Sequence, residues 1–278
     1  MNFRDRLVAS QQRRASLLCV GLDPEPDRFP APWRGDPARI FDFCERIVEA
    51  TKDLACAFKP QIAYFAAQRA EDQLERLIAH IRRSAPDVPV ILDAKRGDIG
   101  ATADQYAREA FVRYQADAVT LSPYMGFDSI EPYLPYDGRG LILLCRTSNP
   151  GGDDLQALAL AGGARLFEQV ATLAAGPWSR GAAAGRIGLV VGATYPGEIA
   201  RVRELAPTLP LLIPGIGAQG GDADAAVRAG WRDDAPIVVS SSRAILYAGT
   251  SGAPGVFAEA SRNAARAARD QLAHAQRR

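Results

Sequence analysis

Three charged residues at the end of one apolar stretch, Asp93, Lys95 and Asp98, are the strongest indication of chemistry in this sequence of 278 residues. Val88 to Leu92 is typical of a buried strand, and in parallel α/β proteins catalytic groups sit at the carboxyl ends of strands. Asp93 and Lys95 are two residues apart on this strand and therefore project to the same face. A surface turn with ordinary ion pairs is the alternative interpretation.

Two further charged residues end neighbouring predicted strands. Asp23 closes the first strand, and Lys59 lies near the end of the second. In a parallel barrel, these two residues and the three above would all face one mouth. Two lysines and several carboxylates converging from three successive strands are hard to explain by packing alone, which favours a catalytic function.

The segments after the last two predicted strands have the composition of an anion site. Residues 214–221 are rich in glycine and precede a helix, and residues 240–243 end in Arg243. Glycines let backbone amides approach an anion, a helix N-terminus adds a favourable partial charge, and an arginine supplies paired donors. In barrels, the loops after strands seven and eight frequently bind phosphate.

The same glycines also support a rival function, that of a nicotinamide-dependent oxidoreductase. Residues 215–220 match GxGxxG, the dinucleotide fingerprint. This match is weak, because the fingerprint normally opens a nucleotide-binding half and is followed by an acid at a strand end. Here a single short strand follows, and Asp233 and Asp234 precede it.

Apolar runs alternate with stretches of helical periodicity about eight times along the chain. This rhythm predicts a single (β/α)₈ barrel domain over residues 1–278, and an open doubly wound sheet is the alternative. The predicted strands are Leu17–Asp23, Cys56–Gln61, Val88–Lys95, Ala118–Pro123, Gly140–Arg146, Arg186–Thr194, Pro210–Gly217 and Pro236–Ser242. The predicted helices lie near 37–52, 68–84, 101–115, 127–135, 162–175, 196–206, 222–230 and 255–275.

Composition limits the classes of partner and the compartment. Thirty-three basic and 32 acidic residues give a net charge of +1, so the overall charge indicates neither nucleic acid nor a membrane surface as a partner. We expect neither a spanning helix nor a secretory leader, since no apolar run reaches the roughly 18 residues that a spanning helix needs and the first residues contain no apolar core. The four scattered cysteines are predicted to be free core residues, and we expect a cytoplasmic protein.

These motifs resemble the orotidine 5′-phosphate decarboxylase family over nearly the whole chain. The family signature, Asp-x-Lys-x-x-Asp-Ile with a threonine four residues after the second aspartate, is matched by Asp93, Lys95, Asp98 and Thr102. Further matches are the early Asp23, Lys59 in a Phe-Lys context, a Pro-Gly-Ile loop with Gln219, and the late Arg243.

The sequence resembles the longer branch of the family most closely. Asp-Ala-Lys-Arg-Gly-Asp-Ile and Arg-Thr-Ser-Asn-Pro-Gly, the latter at residues 146–151, are both typical of that branch. Ser242 stands where many members have glycine, and Gly217 where others have arginine. These departures concern the phosphate contacts rather than the reaction.

The resemblance implies cofactor-free decarboxylation of orotidine 5′-phosphate to UMP in pyrimidine biosynthesis. Loss of CO₂ from C6 of the pyrimidine leaves a carbanion-like centre, and the Lys95 ammonium would stabilise this charge and then donate a proton. Free lysine has a pKa near 10.4 and is protonated at neutral pH, as a proton donor must be. Lys59, Asp93 and Asp98 would hold Lys95 in an alternating network of charges.

The resemblance also implies roles in substrate binding and assembly. Asp23 would bind ribose hydroxyls, Ser148 the pyrimidine edge, and Gln219 with Arg243 the phosphate. For Ser148 the alternative is a loop serine that caps its own turn. Asp98 and Thr102 would reach the site of a neighbouring subunit, which implies a homodimer.

Two long connections follow predicted strand ends, the proline-rich 24–37 and the segment 148–163. The second is a candidate lid, although its composition equally fits a passive surface loop. Two other functions stay open at this point. One is a Mg²⁺-dependent sugar-phosphate decarboxylase or aldolase-like barrel, and the other is a noncatalytic barrel that binds nucleotides without turnover.

Overall fold

Eight parallel strands form one sheet that curves into a barrel in the computed structural model, which describes residues 2–216, 221–249 and 254–277. The strands are β1 (Leu18–Leu22), β2 (Ala57–Pro60), β3 (Ile91–Arg96), β4 (Ala118–Leu121), β5 (Gly140–Arg146), β6 (Ile187–Val191), β7 (Leu211–Pro214) and β8 (Ile237–Ser241). Each lies within or overlaps a predicted strand. The eight-strand prediction is therefore confirmed.

The two ends of the sheet meet between β2 and β3. Strand order is β2-β1-β8-β7-β6-β5-β4-β3, and parallel bridges from Phe58 to Val90 and from Gln61 to Asp93 join the outermost strands. The open doubly wound alternative is wrong, since its outermost strands would stay apart. Closure brings all eight carboxyl ends to one mouth, where the predicted site residues were expected.

The helices lie around this barrel. They are α1 (Phe3–Arg14), α2 (Ile40–Thr51), α3 (Ile62–Ala66), α4 (Glu71–Ser84), α5 (Gly100–Arg108), α6 (Leu166–Ala175), α7 (Pro196–Leu205), α8 (Ala223–Gly230), α9 (Arg243–Leu246) and α10 (Pro254–Gln276). A π-helical turn, Glu109–Arg113, continues α5. None of the helices in the described ranges is long and apolar enough to cross a membrane.

One predicted helix is wrong, and three helices of the described ranges were not predicted. The segment 127–135 forms two short 3₁₀ turns, Phe127–Ser129 and Glu131–Tyr133, because Pro132 and Pro135 lack the amide hydrogens that a continuous helix needs. The three are α1, which precedes the first strand, and the short helices α3 and α9.

The core has two layers because successive side chains of a strand point to opposite faces of the sheet. Inward-facing residues such as Ile91, Ala118 and Ile142 fill the barrel interior, and Phe3 and Leu7 of α1 close its amino-terminal end. The outward-facing residues pack against the surrounding helices. All four cysteines are buried and free, as predicted, and burial raises the pKa of Cys19 to about 12.

Candidate active site

Asp93 in β3 connects the two lysines of the predicted site. Its Oδ2 accepts a hydrogen bond from Nζ of Lys59 at 2.9 Å, and its Oδ1 accepts one from Nζ of Lys95 at 2.6 Å. Asp93 and Lys59 are buried, whereas the side chain of Lys95 is 45% exposed. The row Lys59–Asp93–Lys95 thus runs from the barrel interior to its open mouth.

The backbone of β3 is irregular where it presents Lys95. Its register with β4 shifts between Leu92 and Arg96, and Lys95 adopts φ of +47°, in the left-handed region that side-chain-bearing residues rarely occupy. The Thr120 hydroxyl of β4 compensates locally, since it accepts hydrogen bonds from the amides of Ala94 and Lys95, both at 3.0 Å. The same hydroxyl donates to Asp93 Oδ1 at 2.9 Å.

Charge pairing keeps this buried network ionised. Burial favours the neutral form of Asp93, but the charges of Lys59 and Lys95 outweigh it and hold the pKa of Asp93 well below its usual range. Burial likewise opposes the charge on Lys59, and the carboxylates of Asp93 and Asp23 outweigh that effect and raise the pKa of Lys59. A carboxylate and an ammonium therefore stay fixed in place at neutral pH.

Asp23 follows β1 and is held by residues that follow the neighbouring strand β8. Its Oδ2 accepts a hydrogen bond from the Ser242 hydroxyl at 2.6 Å, and its carbonyl accepts one from the Tyr247 hydroxyl at 2.9 Å. Its Oδ1 is buried, has no hydrogen-bond partner among the described residues, and lies 4.0 Å from Nζ of Lys59. This oxygen is an acceptor that a ligand hydroxyl could use.

A cavity of about 520 Å³ opens at this mouth. The cavity extends from Lys59, Asp93 and Lys95 to the loop after β5 and to the first residues after β7 and β8. Among its lining residues are Asp23, Lys59, Tyr64, Asp93, Lys95, Ser148, Ile216, Ser242 and Arg243. This volume is within the range of small-molecule sites. Six of the nine predicted site residues therefore line one cavity, with Arg243 exposed on its rim.

Two further predicted residues, Asp98 and Thr102, do not line this cavity. Both follow the carboxyl end of β3, and Asp98 Oδ1 accepts a hydrogen bond from the amide of Ile99. That Asp98 shares one mouth with the other four charged residues therefore stays a prediction. Gln219 lies outside the described residues.

Three residues of the site were missed by the sequence interpretation. Thr120 is a single polar residue in a short apolar strand, which was the one available signal. Ser242 belongs to the predicted anion-binding segment, but its contact with Asp23 was not predicted. Tyr247, which fixes the backbone beside Asp23, had no local signal, because its partner lies 224 residues away in the sequence.

Comparisons with known proteins agree with this geometry. A sequence model of the orotidine 5′-phosphate decarboxylase / HUMPS family matches residues 16–253. The chain belongs to this family. It is 69% identical over 280 residues to the orotidine 5′-phosphate decarboxylase of Methylibium petroleiphilum, with 98% of this chain and 99% of the relative covered. The Paracidovorax citrulli enzyme of the same name is also 69% identical, over 275 residues and 98% of both chains.

Solved structures of the family share the fold. The structure of Leishmania donovani OMP decarboxylase superposes with a TM-score of 0.85 at 39% identity, with 100% of both chains covered. The barrel prediction is confirmed, and the chain is a carboxy-lyase of this family. The nicotinamide-dependent oxidoreductase and the noncatalytic binding barrel are therefore excluded.

Proposed function

We propose that this chain decarboxylates orotidine 5′-phosphate to UMP in pyrimidine biosynthesis, with Lys95 as the central catalytic residue and without a metal or organic cofactor. The observation that carries the proposal is the Lys95 ammonium, which Asp93 holds at 2.6 Å on the wall of the nucleotide-sized cavity. The names of the relatives at 69% identity support the same substrate.

The reaction needs a fixed positive charge beside one carbon. The bond between C6 and the carboxylate breaks, CO₂ leaves, and the electron pair remains on C6. The Lys95 ammonium stabilises that charge and then donates a proton to C6, after which water restores the proton to the lysine. A charge held in place before the reaction costs no reorganisation during it, which is the usual source of electrostatic catalysis.

Lys59 and Asp93 act in this proposal by holding Lys95. Asp93 is bound from the other side by the buried Lys59, so it cannot swing away when substrate enters. Thr120 limits it further through the hydroxyl contact at 2.9 Å. Preorganisation of this kind is worth several orders of magnitude in rate when the reacting groups are aligned.

Binding of the remainder of the nucleotide follows from the other lining residues. The free Oδ1 of Asp23 accepts a ribose hydroxyl, Ser148 contacts the pyrimidine edge, and Arg243 with Gln219 binds the phosphate. The exposed Arg243 on the cavity rim supports the phosphate assignment. Binding energy from this distant phosphate closes the segment 148–163 over the substrate and excludes water.

The active enzyme in this proposal is a homodimer, in which Asp98 and Thr102 reach the partner's cavity. Neither residue lines the cavity of its own chain. They lie close in sequence to Ile99, which is 48% exposed, and Tyr124 in the turn after β4 is 77% exposed. In this proposal the partner subunit covers these exposed side chains.

The proposed compartment is the cytoplasm, since all four cysteines are free thiols, as is usual under reducing conditions. We also expect no nucleic-acid or membrane partner. The absence of a cofactor follows from the proposed chemistry, in which Lys95 supplies both the charge and the proton.

One absorbance experiment tests this function. EDTA-treated wild-type protein is mixed with orotidine 5′-phosphate, and the fall in ultraviolet absorbance is followed beside Lys95→Ala. We expect turnover by the wild type and a loss of at least about 10³-fold in the variant. Turnover that requires added Mg²⁺ would favour the sugar-phosphate decarboxylase or aldolase-like reaction instead. A Lys95→Ala variant as active as the wild type would remove Lys95 from the mechanism.

A further inference from the structure

Hydrogen bonds between Thr147 and Gln156 close the first part of the loop after β5. This part of the loop contains Ser148, the proposed contact to the pyrimidine. The Gln156 side chain returns to the start of the loop, where its Oε1 accepts a hydrogen bond from the amide of Thr147 at 2.8 Å. Its Nε2 donates to the Thr147 hydroxyl at 2.9 Å. Because Thr147 directly precedes Ser148, Gln156 fixes the backbone from which Ser148 projects.

A buried arginine fixes the same loop from beneath. Arg146, the last residue of β5, is 1% exposed and donates to Asp153 of the loop and to Glu198 of α7, both at 2.5 Å. Its guanidinium also lies 4.7 Å from the ring centre of Tyr195. A buried cation needs both carboxylates, so this contact ties the loop to the barrel wall.

A glycine provides room for the serine backbone. Gly192 follows β6, and its amide donates to the carbonyl of Arg146 at 2.8 Å. A Cβ at position 192 would lie 2.7 Å from the amide nitrogen of Ser148 and 2.8 Å from its Cα. Contacts this short do not occur in folded proteins, so any side chain here would displace Ser148.

We propose that Gln156, Arg146 and Gly192 are positioning residues for Ser148 and set how strongly the cavity prefers a nucleotide over the same sugar phosphate without a base. This inference rests on the proposed function, which assigns Ser148 to the pyrimidine. None of the three lines the cavity, so they act through Ser148 and not by touching substrate. The first part of the loop is therefore preorganised, and closure is left to residues after 156.

The test compares two ligands, UMP and ribose 5-phosphate, by calorimetry. Gln156→Leu keeps the side-chain size and removes both hydrogen bonds, and Gly192→Ala adds the conflicting methyl group. We expect each to weaken UMP binding about tenfold, with ribose 5-phosphate changed less than about twofold. Gln156→Glu should restore much of the UMP affinity, because its carboxylate can accept from both the amide and the hydroxyl of Thr147.

The matched control is Gly188→Ala in β6 itself. A Cβ there would approach the carbonyl oxygen of Pro210 at 3.0 Å and does not meet Ser148, so the preference for UMP should stay at the wild-type value. Equal losses for both ligands in Gln156→Leu and Gly192→Ala, or no loss for either, would overturn the inference. A wild type that binds UMP no better than ribose 5-phosphate would overturn the assignment of Ser148 to the pyrimidine, and this inference with it.

Discussion

The ammonium of Lys95 lies 2.6 Å from Oδ1 of Asp93, two residues earlier on the same strand, although Lys95 itself has left-handed backbone geometry. A regular strand would also place the two side chains on one face, but the left-handed turn and the register shift alter their directions. The Thr120 hydroxyl supports this arrangement through both backbone amides and the carboxylate. Strain of this kind persists where surrounding contacts hold it in place.

Removal of the Thr120 hydroxyl should therefore reduce activity, because this hydroxyl holds both the backbone of Lys95 and the carboxylate of Asp93. Thr120→Val preserves the shape and leaves the amides of Ala94 and Lys95 unsatisfied. We expect kcat to fall about 10- to 100-fold, with a loss of about 1–3 kcal/mol in the free energy of unfolding. Thr120→Ser, which keeps the hydroxyl, is the control and should remain close to wild type. Equal kcat values in the valine variant and the wild type would contradict the role.

The pH dependence of stability should report the buried pair of Asp93 and Lys59. Positive neighbours lower the pKa of Asp93 in the folded chain relative to the unfolded value of about 3.9. Its stabilising contribution is therefore complete above that unfolded value and is lost as pH falls through the folded pKa. Asp93→Asn should cost about 3–5 kcal/mol at pH 7, since it leaves Lys59 buried with a weaker partner.

The difference between the wild type and Asp93→Asn should shrink as the pH falls below about 4, because only the wild type loses this carboxylate. Urea unfolding measured from pH 7 to pH 2 checks this. The other acids, including Asp87 with its lowered pKa, titrate in both proteins and cancel in the comparison. A difference that stays constant over the whole range would contradict the proposed ionisation of Asp93.

Local pattern was sufficient to predict the strands and the residues at their ends, because each depends on a few neighbouring positions. Asp93 and Lys95 could be placed on one face by counting residues. The contacts of Ser242 with Asp23 and of Tyr247 with the same residue join segments more than 200 positions apart, and no local pattern reports them. The position of Asp98 also depends on the path of the chain after the irregular end of β3.

Helix α1 was missed for a different reason. Its sequence is mostly polar, and of its apolar residues the structure buries Phe3 and Leu7, which is too few for a clear helical stripe. The helix closes the base of the barrel, where Phe3 packs against Gly140 at the start of β5. A Cβ at position 140 would lie 2.5 Å from Phe3 Cδ1. The need for a glycine at this position follows from an element that the sequence interpretation did not contain.

Gly140→Ala should therefore destabilise the chain by about 1–3 kcal/mol through overpacking. Phe3→Ala should cost about 3–5 kcal/mol on its own. Because the Phe3 ring is absent in the double variant, the loss of unfolding free energy in that variant should be smaller than the sum of the two single losses, by about 1 kcal/mol. Denaturant unfolding of the four proteins measures this cycle. Strict additivity would show that α1 does not occupy the base of the barrel in solution.

Ser242 should influence recognition of the sugar. Its hydroxyl holds Asp23 Oδ2, while Oδ1 has no hydrogen-bond partner in the described part of the chain. Gly21 provides the space for Ser242, since a Cβ there would lie 2.8 Å from Ser242 Cβ. Ser242→Ala should weaken UMP about three- to tenfold and leave the 2′,3′-dideoxy analogue nearly unchanged. Ser241→Ala, whose side chain does not line the cavity, is the control. Equal weakening of both ligands in Ser242→Ala would contradict a role through Asp23.

Sharing of sites between subunits can be tested by mixing two inactive variants. Lys95→Ala lacks the central ammonium, and Asp98→Ala lacks the carboxylate proposed to reach the partner's cavity. A mixed dimer would contain one site with both groups intact, because the Lys95 of one chain then meets the Asp98 of the other. If subunits pair at random, about half of the dimers are mixed, and the activity should recover to about one quarter of the wild-type value.

The mixed sample is prepared by refolding the two variants together, and each variant refolded alone is the control. If Asp98 instead served the cavity of its own chain, each site in a mixed dimer would lack one group, and no activity would return. The structure favours recovery, since Asp98 lies outside the cavity that Lys95 lines and near the exposed Ile99. An inactive mixture in which mass measurement shows mixed dimers would place Asp98 outside the catalytic network of the partner.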